Sequence, residues 1–267
     1  MATEVWNCYR HPDRRAGVAC QRCGRPICPS CMSQAPVGFH CPECLRSGRQ
    51  KVITTRSLIV RPLLTQVLVA INVAVFIAEL AIPRLGLEGV LFGPLVASGE
   101  WWRLVTGGFL HAGIFHIGFN MAALWILGSQ FESALGRLRY AIVYGGSLLG
   151  GSLGVMLLSP FDSTVGASGA IFGLMGLALA AHVRRGISVW DTGIGGLLAI
   201  NLFITFFLPG ISIGGHLGGL GAGFLIGLLV VDAPRGSDRA WIAVAGGLAV
   251  TVALFVGALL IAVVRAG

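Results

Sequence analysis

From residue 62 onward the chain is dominated by seven mostly apolar runs, at 62–82, 110–131, 138–158, 166–183, 192–208, 212–231 and 241–263. Runs of about 20 apolar residues, helical at 1.5 Å per residue, match the hydrocarbon thickness of a bilayer. Inside lipid each backbone N–H and C=O needs a partner within the protein, so such runs fold as helices and not as open sheets. The fold class that follows is an all-α polytopic membrane protein. Composition agrees, with 55% hydrophobic and only 11% charged residues, against roughly 25% charged in soluble domains. Forty glycines suit membrane helices whose backbones approach closely.

The loops give an orientation. Arg137 and Arg139 separate the second and third runs, Arg184 and Arg185 follow the fourth, and Arg235 and Arg239 lie between the sixth and seventh. The alternate loops 159–165 and 209–211 contain no Lys or Arg. Basic loop residues are retained in the cytoplasm, so the N-terminus is expected there and the C-terminus outside, in a multi-pass plasma membrane protein. Loop 83–109 breaks the pattern with Arg84 and Arg103 on the outer side, and its Trp101 and Trp102 read as interfacial. Retention of basic loops accounts for the formal charge of +8, so the bilayer is a partner and no nucleic acid is expected.

Residues 1–50 are different in kind. They are polar, lack the apolar core of a signal peptide, and hold all seven cysteines. The pattern is Cys8-x-x-His11, Cys20-x-x-Cys23, Cys28-x-x-Cys31 and Cys41-x-x-Cys44. Paired ligands two residues apart, in a reducing compartment, read as metal sites rather than disulfides. Eight ligands suffice for two tetrahedral zinc ions, with one zinc and spare thiols as the alternative, and His40 competes with Cys41 as a ligand. So short a module cannot build a large apolar core, and metal would supply much of its folding energy. The spacing resembles B-box-type zinc fingers, whose pairs interleave. That resemblance implies one ion on Cys8, His11, Cys28 and Cys31 and another on Cys20, Cys23, Cys41 and Cys44. The module is expected to bind a protein partner. A basic linker, 51–61, joins it to a membrane domain at 62–265.

Within the membrane domain, Gly166-Ala167-Ser168-Gly169 places a serine between glycines near the start of the fourth run. His216 lies near the start of the sixth, and His116 and Asn120 lie four apart on the second, hence on one helix face. The second, fourth and sixth runs all start on the outer side, so these groups should converge there, Ser168 and His216 each about one turn into its helix. A serine hydroxyl becomes a nucleophile when histidine takes its proton. No carboxylate in the membrane part suits a third role, so the pair reads as a dyad. Backbone N–H groups at the helix start, with His116 and Asn120, can form an oxyanion hole. The stripe His216-x-x-Gly219-x-x-x-Gly223-x-x-x-Gly227 is a close-packing face, and the Gly169–Gly173 face is its expected partner.

Gly166-Ala167-Ser168-Gly169, Gly215-His216-x-x-Gly219, His111-x4-His116-x3-Asn120 and Trp102-Arg103 together resemble the rhomboid family of intramembrane serine proteases. The resemblance covers residues 60–235. It implies a Ser168 nucleophile, a His216 base, an oxyanion hole from the Ser168 N–H, His116 and Asn120, and a six-helix core with one extra C-terminal transmembrane helix. It also implies transmembrane protein substrates, cut near the outer membrane boundary after a small residue, with zinc structural and no cofactor for catalysis. The alternatives are a non-catalytic rhomboid-like client-binding protein and, more remotely, a transporter, for which the membrane part lacks buried carboxylates.

Overall fold

The computed structural model describes residues 6–48, 61–234 and 237–267. Of the linker, residues 51–60 lie outside the described residues. The chain divides into two compact units, Met1–Ile59 and Val60–Gly267.

The first unit holds two short antiparallel hairpins, Val18–Ala19 with Pro26–Ile27 and Ser33–Gln34 with Phe39–His40. A helix, Pro42–Ser47, follows. The Cys20–Cys23 turn closes through Gly24, whose N–H donates to the Cys20 carbonyl at 2.8 Å with a positive φ of 73°. Cys41 caps the helix, its sulfur accepting from the Cys44 N–H at 3.3 Å. The interior is six cysteines with Ile27, flanked by Tyr9 and Met32.

The second unit is helical: α1 Leu63–Ala81, α2 Ile114–Leu135, α3 Arg137–Leu158, α4 Ser168–Arg185, α5 Ile194–Phe207, α6 Ile213–Val230 and α7 Asp238–Ala266. Among the described residues five of these, α1, α2, α3, α6 and α7, are long and apolar enough to cross a membrane. The other two fall short for local reasons. The last turn of α4 carries His182, Arg184 and Arg185. With 14 residues, α5 is about 21 Å long, begun by left-handed Gly193 and stopped before Pro209-Gly210.

α6 is the hub, packed between α3 and α4, with α7 behind α3. A methyl on Gly218 would collide with the Gly150 carbonyl of α3, and methyls on Gly219 and Gly223 with the Gly169 and Gly173 carbonyls of α4. Backbone thus lies on backbone along both seams.

Buried polar side chains close the helix ends. Glu132 is fully buried near the end of α2 and accepts the Leu64 and Thr65 N–H groups at 2.9 and 2.7 Å, capping α1. This corrects the expectation that the membrane part lacks a buried carboxylate; a carboxylate bonded to a helix N-terminus escapes the cost of burial. Arg139, read as a loop cation, is also buried, and donates to the carbonyls of Val230, the last residue of α6, and of Ala233 and Pro234 beyond it. Arg184 of α4 pairs with Asp232 at 3.0 Å. Loop 83–109 is built as short helices, Arg84–Gly89, Gly93–Ala97 and Arg103–Thr106. Its buried Arg103 pairs with Glu100 at 2.7 Å and donates to the Leu87 and Val90 carbonyls at 2.8 and 2.9 Å. Arg103 breaks the loop-charge rule because it is an internal tie rather than a surface charge.

Gly223→Ala is expected to destabilise the membrane unit by about 1–3 kcal/mol through overpacking. Gly221→Ala, where a methyl meets nothing within 4 Å, should leave stability unchanged or raise it. Thermal unfolding of both variants in the same detergent reads the contrast.

Candidate active site

The serine sits where extended backbone turns into helix. Thr164 pairs with Leu91 through two backbone hydrogen bonds of 2.9 and 3.1 Å, and the Gly166 N–H donates to the Gly107 carbonyl at 2.9 Å. Gly166 has φ +124°, and a Cβ there would lie 2.8 Å from His116 Cε1 and Nε2. Only glycine fits this step. These ties hold 164–166 against the loop, so α4 starts at Ser168 itself and not one turn before it, as the sequence suggested. The correction adds a physical element: the Ser168 N–H is among the unpaired N–H groups of the first turn, at the positive end of the helix dipole.

His216, 8% exposed, stands one turn into α6. Its Nε2 lies 2.9 Å from Ser168 Oγ. Its other nitrogen, Nδ1, is 2.7 Å from Thr205 Oγ1 on α5. The Phe172 ring stacks on it, centroids 4.0 Å apart and planes 16° from parallel. The α4–α6 glycine contacts set this spacing, since Gly169, the residue after Ser168, lies directly on Gly219, three residues after His216.

His116 approaches the same pair from α2, against Gly166. The Ala112 N–H donates to its Nδ1 at 3.4 Å, which assigns the ring proton to Nε2, the nitrogen facing Gly166. Asn120 is buried one turn further along α2. His111 lies before α2 rather than on it; it is buried, sits edge-on to His116 at 5.1 Å, and its N–H donates to Glu79 at 3.2 Å. A cavity of about 30 Å³ opens beside Ser168, bounded by glycines 107, 151, 169 and 215 with Leu148 and Val155.

Other polar side chains of this unit lie apart from the serine–histidine pair. Ser152 donates to the Leu104 carbonyl at 2.7 Å, tying α3 to the loop. Ser147 is buried against Gly173, Asp162 is exposed, and His182 bonds Thr192 at 2.7 Å. Glu132 is 16 residues along α2 from His116, about 24 Å, and has no part in the serine site. Sequence reasoning missed Thr205 and Phe172. The signals were there: Asn201 and Thr205 are polar residues at i, i+4 in an apolar run, and Phe172 is one helical turn beyond Ser168.

In the first unit two groups assemble, Cys8, His11, Cys28 and Cys31, and Cys20, Cys23, Cys41 and Cys44, the ligand atoms of each within 4.8 Å of one another. Cys41, not His40, is in the second. His11 Nδ1 is 3.9, 3.5 and 3.3 Å from the sulfurs of Cys8, Cys28 and Cys31, and the Cys23 and Cys41 sulfurs are 3.8 Å apart. A tetrahedral zinc holds such atoms about 3.5–3.8 Å apart, so the donor sets fit. Burial opposes ionisation of Cys8 and Cys20, yet backbone N–H groups outweigh it and hold both thiols down at about 6. Cys31 is pushed up to about 11 by burial and the neighbouring Cys28 and Cys8 thiols. Cys44 is pushed up to about 12 by Cys41 and by burial. Full ionisation of either set calls for a cation.

Fold and site define a polytopic α-helical membrane protein with a serine–histidine pair inside its bundle. Residues 98–233 match the rhomboid domain and residues 3–40 the B-box zinc finger. The chain is 40% identical over 141 residues to "Putative rhomboid protease YdcA" of Bacillus subtilis, covering 51% of this chain and 71% of that one. It is 40% identical over 133 residues to "Rhomboid protease GluP" of the same organism, covering 49% and 26%. It is 35% identical over 162 residues to "RHOMBOID-like protein 5" of Arabidopsis thaliana, covering 58% and 52%. The chain belongs to the rhomboid family and carries an N-terminal B-box zinc finger.

Proposed function

We propose that this protein is an intramembrane serine endopeptidase that cuts transmembrane protein substrates near the outer membrane boundary. The observation that carries the reading is the 2.9 Å approach of His216 Nε2 to Ser168 Oγ, at the mouth of a helix and enclosed by a bundle. His216 takes the hydroxyl proton as Ser168 Oγ attacks the scissile carbonyl. The resulting oxyanion accepts from the Ser168 N–H, His116 Nε2–H and the Asn120 amide. Collapse breaks the C–N bond, His216 gives its proton to the departing amine, and water, activated by the same histidine, releases the acyl group from Ser168. The cavity beside Ser168 has room for one small side chain, which favours cleavage after a small residue.

All seven helices cross the plasma membrane in this reading, with α1–α6 as the core and α7 appended. The N-terminus is cytoplasmic and the C-terminus outside. The gathering of Arg139, Arg184 and Asp232 at the ends of α3, α4 and α6 supports placing those ends together on the cytoplasmic side. Two structural zinc ions occupy the cytoplasmic module, which recruits a protein partner. The boundaries are 1–50 for the module, 51–61 for the linker and 62–265 for the membrane domain.

Ser168→Ala and His216→Ala should each slow cleavage of a membrane-tethered reporter by at least about 10²–10⁴-fold while inserting normally, and a fluorophosphonate should label wild type at Ser168. Cleavage at the wild-type rate by either variant sinks the reading.

Elemental analysis should find two zinc ions per chain. A chelator should unfold the N-terminal module, because metal binding and folding are coupled there, and leave fluorophosphonate labelling intact.

A further inference from the structure

Among its fourteen residues α5 buries only Gly195 and Thr205, while Phe203, Phe206 and Phe207 face outward. Thr205 is therefore the one hydroxyl this helix brings inward, and its Oγ1 lies 2.7 Å from His216 Nδ1. The same Oγ1 donates to the Asn201 carbonyl at 2.7 Å. A hydroxyl has one proton. With that proton on the Asn201 carbonyl, Oγ1 offers only lone pairs to the imidazole, so Nδ1 is the donor. A neutral imidazole protonated at Nδ1 has a bare Nε2, and that nitrogen faces Ser168 Oγ at 2.9 Å. The arrangement also tolerates the next state. Once Nε2 takes the serine proton, Nδ1–H still meets a lone pair, and no hydroxyl has to turn. Were Thr205 to donate to Nδ1 instead, Nε2 would carry the proton and could not act as base. Phe172 fixes the plane of the ring by stacking; Thr205 fixes its rotation within that plane.

We infer that Thr205 is a positioning residue for the His216 base, setting its tautomer and rotation where an acid does so in a serine–histidine–acid triad. The inference rests on the Ser168–His216 reading above and goes beyond it.

The test compares T205V, which keeps the shape and loses the hydroxyl, with T205S, which keeps the hydroxyl. On a purified single-span reporter in detergent, T205V should lower kcat about 10–100-fold, the effect of losing one hydrogen bond at the reacting base, with KM little changed and T205S restoring the rate. ¹⁵N spectra of histidine-labelled protein should show His216 protonated at Nδ1 in wild type and T205S, and shifted toward the Nε2–H form in T205V. Wild-type kcat in T205V overturns the inference, as does an equal loss in T205V and T205S, which would mark a packing role. An unchanged His216 tautomer in T205V overturns it too. Cleavage surviving in Ser168→Ala would instead sink the underlying reading, leaving the tautomer spectra to stand or fall separately.

Discussion

Two helices of this protein touch backbone to backbone, and the rest of the site follows from that contact. At Gly219 and Gly223 of α6 no side chain separates the chain from the carbonyls of Gly169 and Gly173 on α4. Interaxial distances between helices are usually 8–10 Å and are set by the side chains at the contact; here hydrogen is the only one present. The closeness matters because a serine and an imidazole have little reach. Ser168 stands one residue before the contact on α4 and His216 three residues before it on α6, and the 2.9 Å bond between them has no slack for a wider spacing. Lipid makes this a demanding way to build a site. Apolar burial gives little drive between helices in hydrocarbon, so close van der Waals packing takes over that role. The glycines that position the pair are the same ones that hold the bundle together.

A second constraint comes from the solvent. An unpaired peptide group in hydrocarbon costs several kcal/mol, and every helix end is a set of such groups. The chain answers with long polar side chains folded inward. Glu132 closes the start of α1, Arg139 accompanies the carbonyls at the end of α6, and Arg103 and Ser152 bind carbonyls of loop 83–109. Arg103 and Ser152 make the loop beside Ser168 a fixed wall. Because that wall holds Thr164 and Gly166 out of helical backbone, α4 can begin at Ser168.

This also explains what the sequence could and could not disclose. Apolar runs, loop charges and paired cysteines report on the surroundings of each segment taken alone, so the helices, the cysteine module and the serine and histidine were legible one by one. The glycine stripe beginning at His216 even indicated which face of α6 is tightly packed. Buried charges were not legible. Glu132, Arg103 and Arg139 look like loop residues until the partner backbone is known, and that partner lies 68, 13 and 91 residues away, at Leu64, Val90 and Val230. The start of α4 was misjudged for the same reason. Gly166 permits a helix by composition; it is the Gly107 carbonyl, across the loop, that forbids one.

Thr205 belongs to this class, and its chemistry suits the medium. In water-exposed serine hydrolases a carboxylate orients the histidine, and its charge is supported by surrounding dipoles. Within a bilayer a buried carboxylate needs its own set of N–H donors, as Glu132 has at the start of α1. α5 is a short helix that presents phenylalanines outward, and of its buried side chains only Thr205 carries a polar group. A neutral hydroxyl already bonded to the carbonyl one turn behind it can accept from Nδ1 without bringing a charge into the site. It stabilises an imidazolium less than a carboxylate does, and in the proposed chemistry that loss falls on the step that forms the tetrahedral intermediate. In that proposed chemistry the compensation lies across the site, where a helix start and His116 would concentrate donors on the oxyanion. A catalyst assembled this way would depend more on its oxyanion donors and less on its third group than a soluble triad does.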